Sequence, residues 1–286
     1  MKRANVAGLR EFPQFEFVEG DLTEIDLVPL VDAADVVFHQ AGQPGVRLSW
    51  SSDFSKYVSR NVLATQRLLE ACRAVSIGRL VYASSSSVYG NTSSYPTTEE
   101  ALPAPHSPYG VTKLAGEHLC GLYAANWNVP TVSLRYFTVY GPRQRPDMAM
   151  HRFLESALTN APVERFGDGE QLRDFTYVHD VVRANLLAAG ADLQPGETMN
   201  VAGGGSVTVN ALIDLVGELV GAPLKVDRRP EQPGDVRRTA GATDRIRRLL
   251  DWAPETGLRE GVAAELQWLR PLVSAAVPVE QGSRGG

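Results

Sequence analysis

The fold is decided by a stretch that reads Ser84-Ser85-Ser86-Ser87-Val88-Tyr89-Gly90 and, after a polar loop, Ser107-Pro108-Tyr109-Gly110-Val111-Thr112-Lys113. The apolar run Arg79-Leu80-Val81-Tyr82-Ala83 precedes the serines. A run of this kind is typical of a buried parallel strand, which here would end at a cluster of hydroxyl groups. Serine followed by proline favours the start of a helix, so the second part is predicted to be helical. Tyr109 and Lys113 would then share one helix face, because they are four residues apart.

The same stretch predicts a proton-transfer site. A phenol has a reference pKa of about 10 and is a poor base at neutral pH. An ammonium group on the same helix face is expected to stabilise the phenolate and lower that pKa, and a serine hydroxyl can share the proton of a substrate alcohol. A tyrosine and a lysine at this spacing are also common on solvated helix faces. The strand, the serine cluster and Val88-Tyr89-Gly90 in front of them make a catalytic site the better interpretation.

Strand and helix patterns alternate along the rest of the chain. Short apolar runs predict strands, and longer amphipathic runs predict helices. Strands are predicted at residues 15–18, 35–38, 80–83 and 131–135, and helices at residues 1–11, 25–31, 53–74 and from Tyr109 onward. Residues 177–189 and 198–202 are expected to return to the main sheet. This order predicts an α/β fold with a Rossmann-like doubly wound parallel sheet and with ligands at the carboxyl ends of the strands.

Proline and arginine become more frequent after Gly141, which predicts a second, smaller domain. Residues 1–141 and 176–202 are assigned to the Rossmann-like domain, and residues 142–175 and 203–272 to a substrate domain. Residues 273–286 are polar and small at their end and are predicted to form a disordered tail.

Composition argues against several functional classes. The chain has 286 residues, a net charge of −5 and no dominant basic run, which argues against a nucleic-acid partner. No apolar stretch approaches the roughly 20 residues that span a bilayer, so no membrane partner is predicted. Cys72 and Cys120 are the only cysteines, which favours a reduced, cytoplasmic protein. The five histidines lack metal-ligand spacing, so no metal site is predicted.

Together these motifs resemble the extended short-chain dehydrogenase/reductases, and among them the nucleotide-sugar epimerases. The resemblance covers residues 15–272 and implies NAD as the cofactor. It implies that Ser85 supplies the catalytic hydroxyl, that Tyr109 is the acid and base, and that Lys113 binds the nicotinamide ribose. The other residues that it implies in cofactor binding are Asp21, Leu22, Gln40, Ala41, Gly42, Asn61 and Tyr136. Asp21 is equally consistent with a cap of the following turn, and Asn61 with an ordinary polar helix residue.

The run from Arg135 to Met148 closely resembles the UDP-glucuronate 4-epimerases. The resemblance implies that Thr138 and Arg145 contact the carboxylate of the sugar. A guanidinium group suits this role because it binds a carboxylate through two parallel hydrogen bonds. The alternative is a surface arginine that pairs with Asp147.

Further segments resemble the nucleotide-binding parts of these epimerases. The resemblance implies that Arg173 grips the UDP diphosphate and that Phe166 lines the uracil pocket, although a core phenylalanine would look the same. It also implies that Asp235 contacts the nucleotide and that Ser86 and Ser87 contact the substrate. Related 4,6-dehydratases place Asp-Glu directly after the catalytic hydroxyl residue, whereas this chain has two serines there, which disfavours dehydration.

The resemblance therefore implies an NAD-dependent 4-epimerase of a UDP-sugar, with UDP-glucuronate and UDP-galacturonate as the expected pair. The alternatives are UDP-glucose 4-epimerisation, UDP-glucuronate decarboxylation, and a non-catalytic protein that binds nucleotide sugars. Family members commonly form homodimers through two long helices, which correspond here to residues 53–74 and 109–126.

One expected motif is missing from the sequence. The family begins with a strand, a glycine-rich turn that holds the cofactor pyrophosphate, and a helix. The only glycine before residue 20 is Gly8, and Gly203-Gly204-Gly205 stands too late in the chain. The expectation is that a first βαβ unit of roughly 30 residues is absent. The given start would then be internal to a longer protein, or the chain would be a degenerate relative that has lost NAD binding.

Overall fold

Two groups of strands organise the computed structural model, which describes residues 2–231 and 234–276. Within these residues the strands are β1 (Val36–His39), β2 (Arg79–Ser85), β3 (Thr131–Tyr136), β4 (Thr138–Tyr140), β5 (Val163–Phe166), β6 (Leu172–Tyr177), β7 (Glu197–Val201), β8 (Ser206–Thr208) and β9 (Val226–Arg229). The α-helices are α1 (Lys2–Leu9), α2 (Val28–Asp32), α3 (Phe54–Tyr57), α4 (Ala64–Ala74), α5 (Pro108–Trp127), α6 (Ala149–Thr159), α7 (Val178–Gly190), α8 (Val209–Val220), α9 (Asp244–Leu250) and α10 (Leu258–Ala276). A π-helical segment, Val58–Leu63, joins α3 to α4, so residues 54–74 form one long helix.

The larger group is a four-stranded parallel sheet in the order β1-β2-β3-β7. All seven residues of β2 are buried, because helices cover both faces of the sheet. On β2, Leu80 and Tyr82 join the apolar core under α4 and α5, whereas Val81 joins the core under α7. This alternation confirms the predicted Rossmann-like α/β fold, in which the strand side chains point to two separate cores.

The smaller group consists of the sheet β4-β6-β8 and the pair β5-β9. Its core lies between these strands and helices α6, α8 and α10, and includes Tyr140, Met150, Leu154, Leu212 and Val262. The strand β6 runs directly into α7, so the chain passes from the smaller sheet back to the larger one without a linker.

The start signals predicted for the central helix are present in the structure. The Ser107 side chain accepts a hydrogen bond from the backbone N of Gly110 at 3.1 Å, and Pro108 is the first residue of α5. The helix ends at Asn128, which adopts a left-handed conformation with φ of 53°. Tyr109 is therefore fixed in the first turn of α5, where the helix faces the end of β2.

Three predictions of local structure are wrong. Residues 15–18 form no strand, and Phe17 and Val18 are 42% and 50% exposed. An extended segment becomes a strand only when a neighbour supplies hydrogen-bond partners, and among the described residues β1 pairs with β2 alone. The helix predicted at residues 25–31 is confined to α2, because Asp26 accepts from the backbone N of Val28 and Pro29 follows.

The third error concerns the tail. Helix α10 continues to Ala276, so residues 273–276 are helical, and residues 277–286 lie outside the described residues. Both cysteines are buried and free, as expected for the reduced state. None of the helices described is long and apolar enough to cross a membrane.

Candidate active site

Tyr109 and Ser85 meet where the first turn of α5 faces the carboxyl end of β2. The Ser85 hydroxyl forms a side-chain hydrogen bond with Tyr109 that lowers the pKa of the phenol, and the positive charge of Arg145 also lowers it. Burial acts more strongly in the other direction, so the pKa of Tyr109 is raised above its ordinary value. The sequence predicted a lowered pKa, and this prediction is wrong for the protein without ligands because desolvation of the phenolate outweighs both favourable contacts.

Lys113 lies one helical turn further along α5 and is buried. Its Nζ donates a hydrogen bond to the carbonyl of Ala83 at 2.8 Å and lies 5.2 Å from the ring centre of Tyr82. Burial lowers the pKa of Lys113 to about 8. A Cβ at Gly42 would lie 3.4 Å from Lys113 Nζ and 3.0 Å from Asn61 Oδ1, so the loop after β1 lies close to the ammonium group.

Asn61 holds this loop from the π-helical segment. Its Oδ1 accepts from the backbone N of Gln43 at 2.6 Å, and its Nδ2 donates to the Gln43 carbonyl at 3.0 Å and to Thr112 Oγ1 at 2.9 Å. The side chain is buried and is therefore more than an ordinary polar helix residue. π-Helical segments are frequent at functional sites, where they redirect a side chain. Here the segment aims Asn61 at the loop that carries Ala41 and Gly42.

Gln40 and Tyr136 form a second polar group at the ends of β1 and β3. Gln40 Nε2 donates to the Tyr136 hydroxyl at 3.1 Å and to Asn185 Oδ1 at 3.0 Å, and the Tyr136 hydroxyl donates to the same oxygen at 2.8 Å. These side chains line an otherwise apolar groove between β1 and α7. Sequence analysis missed Asn185, because a single asparagine inside an amphipathic helix gives no local signal.

Asp21 caps a turn. Its Oδ1 accepts from the backbone N and the hydroxyl of Thr23 at 2.8 and 2.7 Å, and these bonds hold the pKa of Asp21 below its ordinary value. Leu22 packs against the core under α4 and α5, and its carbonyl accepts from Arg67. The structure thus shows the capping alternative for Asp21, and a role of both residues in adenine binding stays a prediction.

One cavity of about 480 Å³ brings together five of the seven residues predicted to bind substrate. These residues are Thr138, Arg145, Phe166, Arg173 and Asp235. The other two, Ser86 and Ser87, form the short 3₁₀ turn that follows Ser85, and the backbone N of Ser87 donates to Ser85 Oγ at 3.1 Å.

Arginines give the cavity its character. Arg47 and Arg152 line it together with Arg145 and Arg173, and sequence analysis did not identify either of the first two. A signal for Arg47 was available, since it stands two residues after Gly45 in a loop that follows a strand. Three carboxylates also line the cavity and pair with arginines: Asp147 with Arg145, Glu164 with Arg152 and Asp235 with Arg47. Guanidinium groups suit a ligand with several negative charges, which here would compete with these carboxylates.

Arg145 pairs with Asp147 in the structure. Its Nη2 lies 3.1 Å from Asp147 Oδ2, and the two side chains are 37% and 59% exposed. An exposed pair of this kind contributes little to stability and can exchange partners. The structure therefore shows the alternative considered for Arg145, its pairing with Asp147, while the guanidinium also lies at the cavity wall.

Tyr57 connects the cavity to the phenol of Tyr109. Its hydroxyl donates to the carbonyl of Gly45 at 2.8 Å, and Gly45 lines the cavity. The rings of Tyr57 and Tyr109 meet edge to face, with their centres 6.4 Å apart. Tyr57 thus lies between Tyr109 and the arginine-lined cavity.

A buried ion pair lies directly behind this site. Arg135 Nε and Nη2 donate to both carboxylate oxygens of Glu117 at 2.9 and 2.8 Å. The Ser84 hydroxyl also donates to Glu117, and Arg135 Nη1 donates to the Tyr89 hydroxyl at 2.8 Å. The network joins α5, β2 and β3. Sequence analysis missed Glu117, although its position four residues after Lys113 was a visible signal.

Comparison with known proteins places these features in a family. The sequence profile of the NAD dependent epimerase/dehydratase family matches residues 2–202. The structure resembles that of a UDP-glucuronic acid 4-epimerase from Bacillus cereus in complex with UDP-glucuronic acid and NAD, with a TM-score of 0.92 and 40% sequence identity. The match covers 95% of this chain and 86% of that one.

Two curated relatives match at the level of sequence. An uncharacterized UDP-glucose epimerase of Bacillus subtilis (strain 168) is 40% identical over 272 residues, which are 95% of this chain and 86% of that protein. A UDP-glucuronate 4-epimerase of Thermodesulfobacterium geofontis (strain OPF15) is 32% identical over 266 residues, which are 91% of this chain and 81% of that protein.

Proposed function

The chain belongs to the NAD-dependent epimerase/dehydratase family, and on that premise we propose that it interconverts UDP-glucuronate and UDP-galacturonate by NAD-dependent epimerisation at C4. The observation that carries the proposal is the contact between Tyr109 and Ser85 beside a cavity lined by arginines. A phenol whose pKa is raised by burial and lowered in part by a neighbouring serine hydroxyl can handle the proton of a sugar alcohol together with that hydroxyl. The arginines suit the diphosphate and the sugar carboxylate of a UDP-uronate.

The residues around Gly42 fit the nicotinamide end of NAD. A Cβ at Gly42 would lie only 3.4 Å from the buried ammonium of Lys113, so the glycine lets the loop backbone lie close to a positive charge at the end of β2. We assign Lys113 to the nicotinamide ribose and the loop Gln40-Ala41-Gly42, held by Asn61, to the adjacent part of the cofactor. The chemistry that bound NAD supplies is the reversible removal of a hydride from C4 of the sugar.

Tyr109 moves the proton in both directions. As a phenolate it takes the proton from the C4 hydroxyl when the alcohol becomes a ketone, and Ser85 shares that proton through its hydrogen bond to the phenol. Tyr109 then returns the proton after the sugar has turned its other face. Lys113 lies four residues after Tyr109 on the same face of α5. Burial lowers the pKa of Lys113 to about 8.

Arg145 and Thr138 are assigned to the sugar carboxylate. Oxidation of a uronate at C4 gives a β-keto acid, which loses carbon dioxide readily. A guanidinium that holds the carboxylate in the plane of the adjacent carbonyl resists this loss, because the breaking bond must stand perpendicular to that plane. Retention of the carboxylate would separate epimerisation from decarboxylation on this scaffold.

UDP-glucose is the second candidate substrate. The ion pair between Arg145 and Asp147 favours it, because a guanidinium that already has a partner does not require a carboxylate on the sugar. The relative from Bacillus subtilis described as a UDP-glucose epimerase also supports this candidate.

Product analysis tests the proposal. The purified chain is incubated with NAD and UDP-glucuronate, and the nucleotide sugars are separated by anion-exchange chromatography. We expect UDP-galacturonate with wild type and none with Tyr109→Phe, which keeps the ring but cannot carry the proton. Turnover of UDP-glucose without turnover of UDP-glucuronate would reject the substrate, and UDP binding without any turnover would reject the enzyme.

The remaining assignments follow from the same family relationship. We propose a cytoplasmic homodimer that pairs through residues 54–74 and α5, both of which expose apolar side chains. We also propose that residues 1–141 and 176–202 bind the cofactor, and that residues 142–175 and 203–272 bind the nucleotide sugar.

A further inference from the structure

Arg47 reaches across the mouth of the arginine-lined cavity. Its guanidinium carbon lies 4.1 Å from the ring centre of Phe166, and its Nη2 lies 3.3 Å from Asp235 Oδ2. Arg47 follows the loop after β1, whereas Phe166 ends β5 and Asp235 lies beyond β9. One side chain thus connects the larger sheet to the smaller one through two contacts.

Both sides of this contact are held in place. On the side of Arg47, the Tyr57 hydroxyl donates to the carbonyls of Pro44 and Gly45 at 3.1 and 2.8 Å. On the opposite side, Gly234 has φ of +83°, and a Cβ there would lie 2.9 Å from Trp50 Nε1. Only a residue without a side chain allows this approach, and it brings Asp235 next to Arg47.

Arg47 occupies one face of the Phe166 ring, which the family resemblance assigns to the uracil pocket. A guanidinium 4.1 Å above a phenyl ring covers one face of that ring, and a base cannot stack on the same face at the same time. Both contacts of Arg47 are partly exposed, with side-chain exposures of 43% for Arg47 and 31% for Asp235. Contacts of this type are weak enough for a ligand to displace them.

The charges near Asp235 identify a second group that Arg47 could bind. The positive charge of Arg47 contributes to a lowered pKa of Arg173, behind the larger effect of burial, while Asp235 acts in the opposite direction. Asp235 is therefore a negative charge that lies near both Arg47 and Arg173, whose positive charges repel each other. A diphosphate in the same place would supply more negative charge than one carboxylate and would bind both arginines.

We propose that Arg47 is a further substrate-recognition residue with two positions. In the position that the structure shows, it covers Phe166 and pairs with Asp235. In the complex the nucleotide base displaces it from the ring, and its guanidinium then binds the diphosphate beside Arg173. This inference rests on the proposed function, since it requires a uridine nucleotide as the ligand.

The test compares two ligands that differ only in the diphosphate. Binding of uridine and of UDP to wild type and to Arg47→Ala is measured by calorimetry. Uridine is expected to bind the variant about 2–5-fold more tightly, because the competing guanidinium has left the ring. UDP is expected to bind the variant about 10-fold or more weakly, because a charge-assisted partner of the phosphates is lost. The two changes have opposite signs.

Every other pattern overturns the inference. If both ligands bind the variant more tightly, Arg47 only blocks the site, and if uridine is unaffected while UDP weakens, it does not cover the base site. If wild type binds no UDP, the proposed function fails as well, whereas UDP binding that is insensitive to Arg47 rejects this inference alone. The matched control is Arg259→Ala, which removes an exposed guanidinium paired with Glu218, does not touch the cavity and should change neither affinity.

Discussion

Burial acts on the acidity of Tyr109 and of Lys113 in opposite directions. It raises the pKa of the phenol and lowers the pKa of the ammonium to about 8, because each charged form loses solvation. The hydrogen bond from Ser85 and the charge of Arg145 recover part of the loss at Tyr109. In the proposed mechanism, a substrate carboxylate at Arg145 would therefore alter the electrostatic environment of the Tyr109 phenol.

Arg145 provides the sharpest test at the scale of the residue. Arg145→Met keeps the apolar stem and removes the charge, so the carboxylate of UDP-glucuronate loses its partner. We expect kcat/KM for UDP-glucuronate to fall about 10–150-fold, since hydrogen bonds to charged groups contribute about 1.5–3 kcal/mol. The measurement is the initial rate of UDP-galacturonate formation.

Asp147→Asn is the matched control for this change. It removes the partner of Arg145 in the ligand-free state and leaves the guanidinium in place. The rate with UDP-glucuronate should stay the same or rise, because the carboxylate of the sugar no longer competes with Asp147. An equal fall in both variants would indicate that the ion pair itself shapes the site, contrary to the proposed role.

The sequence identified some residues of the candidate site and missed others. Tyr109 and Lys113 were identifiable because their spacing on a helix is fixed by geometry, and the structure places both beside β2 as that spacing required. Arg47 was missed although its place shortly after Gly45, in a loop that follows a strand, was a visible signal. Asn185 was not identified, because its contact with Gln40 spans 145 positions. No local pattern records such a contact.

At the scale of the element, the ion pair of Glu117 and Arg135 holds α5 against β2 and β3. The two side chains are only 6% and 7% exposed. Glu117→Gln would leave the guanidinium of Arg135 buried without its counter-charge, which costs about 3–5 kcal/mol. We expect the midpoint of urea unfolding to fall markedly, and turnover to fall with it because the hydrogen bond from Ser84 that helps to fix the end of β2 is weakened.

The double variant Glu117→Gln with Arg135→Met separates charge from packing. Removing the guanidinium as well eliminates the unpaired charge, so most of the lost stability should return. If the double variant is as unstable as the single one, the loss comes from packing and not from an uncompensated charge.

The predicted strands and helices agree with the structure where neighbouring strands supply hydrogen bonds and helices cover the sheet. β2, β3 and α5 were located within one or two residues, because burial on both sides of the sheet leaves a strong apolar pattern. Residues 15–18 carry an equally apolar pattern but remain irregular. Periodicity records which side chains prefer burial, whereas a strand also needs a hydrogen-bonding neighbour.

At the scale of the whole molecule, one carboxyl group of α10 forms a hydrogen bond with the loop that follows β4. Glu265 is fully buried, and its Oε2 accepts from the backbone N of Gly141 at 2.7 Å. Gly141 opens the loop that leads to Arg145. Burial raises the pKa of Glu265 from the ordinary value of 4.5 to about 8.

This carboxyl group predicts a loss of stability at high pH. Because the pKa of Glu265 is higher in the folded than in the unfolded state, its protonated form favours folding below about pH 4.5, and this contribution is lost as the pH rises towards 8. Glu265→Gln removes the titration and keeps an acceptor for Gly141. In urea unfolding, the variant should match wild type at pH 5 and exceed it at pH 9 by an amount on the order of 1–3 kcal/mol.

The exposed Glu218 provides the control for that experiment. It lies on α8 and pairs with Arg259 at the surface, where both side chains are 62% exposed. Glu218→Gln should leave the pH dependence of the unfolding free energy unchanged. A Glu265→Gln variant with the same pH dependence as wild type would show that the carboxyl group is ionised in the folded protein.

The last feature at this scale is an apolar surface on two neighbouring helices. The side chains involved are exposed by 39–55% and comprise Phe54, Val58, Leu63, Val111, Leu122 and Trp127. Val111 and Leu122 are eleven residues apart on α5, which is three helical turns, so they lie on one face. A surface of this kind on paired helices suits a second copy of the chain, which would present the same helices in return.

Leu122→Glu tests this surface. A carboxylate at the centre of a symmetric interface meets its own copy across the axis, so we expect a shift from dimer to monomer in sedimentation equilibrium at micromolar concentration. Leu102→Glu is the matched control, because Leu102 is 86% exposed in a loop away from both helices, and it should leave the mass unchanged. A wild-type protein that sediments as a monomer, or a Leu122→Glu variant that stays dimeric, would contradict pairing through these helices. Because Tyr109 and Lys113 lie on α5 as well, loss of the dimer should also lower turnover by loosening the helix that carries both residues.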